Sequence, residues 1–280
     1  MSWPRQSSVI LDFRFKLQLK ISHTTRYAFQ TPPAYGLQQF RLTPKSNAGQ
    51  KVLDWSLDVN GAKIQAAYTD EHGNMSHLVA LNPNVNELVI ASEGLMEMKE
   101  QNGVLGPQTG FVPLWLFLRQ TALTEIGPQI INLSADIPKN PVVSDFHALS
   151  KRIADNVNYK LGSTTATTSA EQAMRLGYGV CQDHAHVFIS AARYAGHPAR
   201  YVSGYLMMND RIDQDATHAW AEVWIDELGW TGFDVSNGIS PDMRYVRIAT
   251  GLDYSQAAPI SGITIGGSGE SIDVNVQVQQ

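Results

Sequence analysis

The sequence predicts an α+β protein in two parts: an antiparallel β-sandwich over residues 1–105, then a unit over 106–280 in which a helix leads into an antiparallel sheet. Three observations predict it. Short alternating segments separated by turn residues fill the first hundred positions. A glycine- and proline-rich changeover follows between 103 and 141. Beyond it, an amphipathic stretch opening at a glycine break is succeeded by strand-like runs.

Phe15–Ile21 alternates apolar with polar residues, the period of a half-buried strand, and residues 1 to about 14 read as a loose extension. Val52–Val59 repeats the pattern. Asn60-Gly61 is a hairpin signal with Ala62–Thr69 as the return strand. Asp70–Asn74 is a further turn before His77–Leu81, and Glu87–Ala91 is the next strand. The apolar Leu114–Leu118 should dock on one of the two units.

In the second half, Ser144 is the expected N-cap of a helix through Phe146, Leu149, Ile153 and Val157, and Ser169 caps a short helix. Gly177-Tyr178-Gly179 breaks the chain. A helix then runs from about Cys181 to Tyr194 and stops at Gly196. Strands are expected over 199–206, 218–226 and 230–235. Gly262–Gly269 reads as a flexible loop before a final strand near 271–279.

The 280 residues are 43% hydrophobic and 17% charged, ample for a core, and the net charge of −5 argues against nucleic acid or an anionic membrane as partner. No apolar run is long enough to span a bilayer, and no signal-peptide pattern opens the chain. The one cysteine, Cys181, excludes intramolecular disulfides and fits a reducing, cytoplasmic setting in which it is a candidate nucleophile.

A helix start offers unpaired N–H groups and partial positive charge, which favour a thiolate and can donate to an oxyanion. A thiolate nucleophile needs a proton carrier. In His218-Ala219-Trp220-Ala221-Glu222-Val223-Trp224, the alternation puts His218, Trp220, Glu222 and Trp224 on one face and the small residues on the other. The turn at Glu227–Gly229 folds the next strand back, so position 234 falls opposite about 220–223 and brings Asp234 near His218 to hold the ring. Asp183, in the first helical turn, reads as a structural cap. His184 and His186 stand about 200° apart around the helix and cannot share an ion without outside ligands, so no metal or other cofactor is implied. Tyr178 is placed as a wall of the substrate cleft.

The segments Gly-Val-Cys-Gln-Asp-His-Ala-His, His-Ala-Trp-Ala-Glu and Gly-Trp-Thr-Gly-Phe-Asp resemble the transglutaminase-like superfamily, in particular its bacterial branch with an N-terminal β domain. The resemblance covers roughly residues 15–240, and Ile21–Tyr27 looks like the opening of that β domain. It implies a papain-like fold with the cysteine helix packed on an antiparallel sheet, Cys181 as nucleophile, His218 as base and Asp234 as orienting acid. Where the family often has Asp-Pro, this chain has Asp234-Val235, which still suits an extended chain. The implied chemistry is acyl transfer on amide bonds of a peptide or protein through a thioester. Hydrolysis of peptide or isopeptide bonds is the first choice and cross-linking by an amine the second. A non-catalytic binding module is the rival from another class.

Overall fold

Alternation in the first hundred residues resolves into six strands: β1 Lys16–Thr31, β2 Tyr35–Thr43, β3 Gln50–Asn60, β4 Ala62–Thr69, β5 Met75–Leu81 and β6 Glu87–Lys99. The structure is a computed structural model describing residues 16–214 and 216–280, so the extension expected over residues 1–14 lies outside the described residues. On β1, every second residue from Leu19 to Phe29 is buried, as a one-sided strand requires. β1, β6 and β3 lie in one sheet; β2, β5 and β4 lie in another. Tyr27, Phe29, Leu88 and Ile90 meet Phe40, Leu42 and Val79 across the space between them, forming the sandwich core.

Two turns behave differently from one another. Asp70–Asn74 closes β4 and β5 as a hairpin. Asn60-Gly61 does not pair β3 with β4, contrary to the sequence expectation: β3 pairs with β6, and the chain crosses here to the second sheet. Gly61 has φ of +91°, and a Cβ would drive into the Glu87 carbonyl. The same left-handed turn chemistry thus serves a corner between sheets.

The rest of the chain adds β7 Val104–Gly106, a 3₁₀ turn Leu114–Leu118, α1 Pro128–Ser134, α2 Val143–Asn156, β8 Asn158–Tyr159, α3 Ala170–Leu176, β9 Tyr178–Gly179 and α4 Cys181–Tyr194. Then come β10 Ala199–Leu206, β11 Asp213–Gln214, β12 His218–Ile225, β13 Gly229–Phe233, β14 Tyr245–Gly251, α5 Tyr254–Ala257, β15 Ile260–Ile265 and β16 Ser268–Gln279. β14, β10, β12, β13 and β7 form an antiparallel sheet in that order. Ala219, Ala221 and Val223 of β12 share a core with Ala185, Phe188 and Ala192 of α4, so the small face of β12 is the one that receives the helix. Phe117 of the 3₁₀ turn is buried edge-on against Trp230, with ring centroids 5.0 Å apart.

Ser169 caps α3 in a full box: it accepts from the Gln172 N–H at 3.3 Å, while Gln172 Oε1 accepts the Ser169 N–H at 3.0 Å. Ser144 does not cap α2. It lies inside the first turn, and Asp145 Oδ2 takes the Val142 N–H at 2.8 Å. The glycine-rich piece 262–269 is not a loop either. It holds part of β15, a tight turn at Gly266-Gly267 and the start of β16. β15 adds to β2 and β16 adds to β1, with Ile21 opposite Val278 and His23 opposite Val276. The final strand therefore completes the N-terminal sheets, while β7 joins the core sheet.

Sandwich and core are joined along β14, an edge strand. The Gln50 amide donates to the Arg247 carbonyl at 2.8 Å and accepts the Arg247 N–H at 2.9 Å. Asn74 does the same for Thr250, at 2.8 Å in both directions. Two side-chain amides thus stand in for a missing neighbouring strand. His23 adds a third tie, its Nδ1 lying 2.8 Å from the Tyr205 hydroxyl on β10. Gln50 and Asn74 are both buried, so Gln50→Ala or Asn74→Ala leaves backbone groups of β14 unpaired and should lower stability by about 1–3 kcal/mol each, read as a reduced urea midpoint.

Candidate active site

Cys181 opens α4 and is partly exposed. The turn before it is built by neighbours. Gly177 ends α3 in the left-handed region, with φ of +72°. Asp183 Oδ2 accepts the Val180 N–H at 2.7 Å and the Thr164 hydroxyl at 2.7 Å, closing the first turn of α4 from inside. A Cβ on Gly179 would lie 2.7 Å from the Asp183 Cβ, so the glycine makes room for the cap. Burial raises the Asp183 pKa against these hydrogen bonds.

His218 begins β12, and its ring is almost wholly buried. Its Nε2–H donates to Asp234 Oδ2 at 2.7 Å, which leaves Nδ1 as the other polar atom of the ring, and Cys181 lies near enough to act on the ring's charge. Burial pushes the imidazole pKa down, but the hydrogen bonds and negative charge supplied by Asp234 and Cys181 outweigh it and raise it to about 10. Asp234 responds in the complementary direction. Burial raises its pKa, and donation from His218, Asn237 and Tyr245 more than reverses this, so the carboxylate stays ionised.

The register explains the meeting. Ala221 pairs with Phe233, which sets position 234 opposite Trp220, at one end of the range expected from the turn. Beyond β13, Asp234 exchanges backbone hydrogen bonds with Ile239 and is locked at the strand end. The His218 ring lies against Trp220, at 6.3 Å and 29° between planes, and tilts toward Tyr245 at 5.9 Å.

Three residues that the sequence reading did not single out belong to this site. The Tyr245 hydroxyl donates to Asp234 Oδ2 at 2.8 Å, and Asn237 donates to the same oxygen at 2.6 Å and through its backbone to Oδ1 at 3.2 Å. Asn237 lies three residues past Asp234, but that spacing does not by itself mark a donor to the carboxylate; Tyr245, on another strand, likewise carried no local signal. Tyr159, half-exposed on β8, has its pKa pushed up to about 12, first by burial and then by the charges at Cys181 and Asp234. Tyr178 sits three residues before Cys181 with the Lys160 ammonium 5.0 Å from its ring centre. His184 is held between Ser236 Oγ and the Val157 carbonyl, both at 2.8 Å, and His186 accepts the Tyr254 N–H at 3.1 Å. No helix among the described residues is long and apolar enough to cross a membrane.

Comparison with known proteins matches residues 131–235 to the transglutaminase-like superfamily and residues 19–97 to the bacterial transglutaminase-like N-terminal region. An uncharacterized protein of Mycobacterium leprae is 28% identical over 283 residues, covering 93% of this chain and 98% of that protein. One from Mycobacterium tuberculosis is 29% identical over 300 residues, covering 97% and 96%. A protein-glutamine gamma-glutamyltransferase of Pseudomonas aeruginosa shares 34% identity over 86 residues, 28% of this chain and 12% of that protein. The crystal structure of a candidate cysteine protease from Cytophaga hutchinsonii superposes with a TM-score of 0.72 at 22% identity, over 95% of this chain and 99% of that one, and has the same fold.

The folded protein holds the His218 proton up to about pH 10, whereas an unfolded histidine releases it near 6.5. The stability this proton contributes is therefore complete below pH 6.5 and is lost as the pH rises toward 10. Asp234→Asn should flatten that dependence and move the His218 titration, followed by NMR, to lower pH.

Proposed function

The chain belongs to the transglutaminase-like superfamily, and from that premise we propose that it is a cysteine-dependent enzyme acting on amide bonds through a thioester, with hydrolysis of a peptide or isopeptide bond as its reaction. The single observation supporting this most is that His218 is hydrogen-bonded to the buried Asp234 carboxylate and lies within electrostatic reach of Cys181, the one cysteine of the chain.

In this reading Cys181 and His218 work as a thiolate–imidazolium pair. The sulfur attacks the substrate carbonyl, forming a C–S bond while the carbonyl π electrons move to oxygen. The Cys181 backbone N–H at the start of α4 donates to that oxyanion. As the intermediate collapses, the C–N bond breaks and His218 delivers its proton to the departing amine. The neutral imidazole then takes a proton from water, whose oxygen attacks the thioester. The C–S bond breaks, and the acid product leaves with the ion pair restored. Asp234 keeps Nε2 protonated and the ring aimed; Tyr245 and Asn237 keep Asp234 in place. Tyr178 and Tyr159 are proposed as walls of the groove that receives the peptide. The chemistry requires a reduced thiol, and we place the enzyme in the cytoplasm on that ground.

An amine acceptor in place of water would make the same acyl-enzyme a cross-linking catalyst. The stretch shared with the Pseudomonas protein-glutamine gamma-glutamyltransferase is what favours this second reading. Incubation with peptide and isopeptide substrates in the presence of dansylcadaverine separates the two. Cleavage without incorporation of the amine is expected, and incorporation outrunning cleavage would overturn the hydrolase.

Four further outcomes test the mechanism. Iodoacetamide should alkylate Cys181 readily at pH 6, and His218→Ala should slow that reaction by roughly tenfold or more. Labelling that begins only above pH 8 would instead point to the non-catalytic module. Cys181→Ala should abolish turnover, and Asp234→Asn should reduce kcat by about 10²–10⁴-fold.

A further inference from the structure

A cavity of about 670 Å³ lies away from Cys181, His218 and Asp234, where the sandwich meets the core sheet. That is the size of a small-molecule site. Its core wall carries two arginines. Arg200 on β10 is buried, and its guanidinium lies 3.9 Å from the centre of the Trp230 ring. Arg247 on β14 stands beside it. Both lean on one carboxylate oxygen: Glu222 Oε2 accepts from Arg200 Nε at 2.6 Å and from Arg247 Nη2 at 3.2 Å.

Two fixed cations against one carboxylate leave an excess positive charge on this wall. The other acid nearest in kind, Asp70, is already matched by Arg41 at 3.1 Å, and at the mouth exposed Lys45 offsets exposed Glu71. Burial lowers the Arg200 pKa to about 10, which still leaves it charged at neutral pH. Donors remain as well. Each guanidinium has five N–H groups. Arg200 places one on Glu222 and a long 3.5 Å one on Gln108, and Arg247 places one on Glu222. The Gln108 oxygen also accepts the Trp230 Nε1–H at 2.5 Å, so the arginine–tryptophan stack is fixed from both ends.

We propose that this cavity is a binding site for a small oxyanion, a carboxylate or phosphate held by the forks of Arg200 and Arg247, separate from the thiol site. A planar guanidinium pair suits bidentate binding of such groups, and the partly enclosed setting protects the contact from salt screening.

Calorimetric and thermal-shift titration of the full chain with inorganic phosphate and with succinate, at ionic strength held constant by NaCl, tests the site. Saturable binding of at least one anion with a rise in Tm is expected, and which anion binds identifies phosphate or carboxylate as the natural group. Arg247→Gln should weaken it by at least about tenfold. If that variant does not fold, Arg247→Lys, which keeps charge and stem but loses the fork, should show the same weakening. Lys45→Gln, on the surface, should weaken binding by a smaller factor. Titrations indistinguishable from NaCl for both anions, or wild-type affinity in both Arg247 variants, would overturn the proposal.

Discussion

A carboxylate enclosed by protein stays ionised only if its oxygens are met by donors, and Asp234 meets that demand with groups from three separate pieces of chain. His218 comes from the start of β12, Asn237 from the turn after β13, and Tyr245 from the start of β14. Because all three must reach one oxygen, the ends of these strands are fixed relative to one another. The imidazole ring inherits its orientation from that fixation. α4 brings Cys181 into the neighbourhood of that ring, and the small residues of β12 set how closely the helix approaches the sheet.

The same device recurs through the molecule. Asp183 closes the turn that presents Cys181, Asp70 organises the β4–β5 turn, and Glu222 gathers Arg200 and Arg247 where sandwich and core meet. Each buried acid is a local organiser whose loss would leave several donors unmatched. Side-chain amides act in the same spirit at Gln50 and Asn74, which complete the hydrogen bonding of β14 from the other half of the protein. The strand that carries Tyr245 toward the thiol site is thereby steadied by the sandwich.

What could be read from the sequence was local. The glycine break, the helix after it and the capping box at Ser169 depend on residues a few positions apart, and the β12–β13 register follows from counting around one turn. His218 and Asp234 were within reach for that reason. The partners of β3, β4, β15 and β16 were not, because the turn residues that end a strand do not say which sheet the next one enters. Asn60-Gly61 would read the same in a hairpin or a corner, and the glycines near 266 read as slack until β1 and β2 are seen to accept the strands on either side. Tyr245 escaped notice because its meaning depends on a partner in another segment. Ile21–Tyr27 was legible as a motif, yet the task of its histidine, bonding Tyr205 across to the core, needed the tertiary arrangement.

The addition of β16 to β1 has a consequence for synthesis. Chains fold as they emerge, N-terminal elements first. Here β1 can pair with β6 early, but its opposite edge stays open until the ribosome has translated the whole thiol-bearing core and the segment after it. Until then, a long exposed strand edge is available to other nascent chains, and the sandwich that steadies β14 is unfinished. A product truncated or stalled before β16 would thus hold every residue of the thiol site and still lack its finished support, so that maturation of the site is tied to translation of β16.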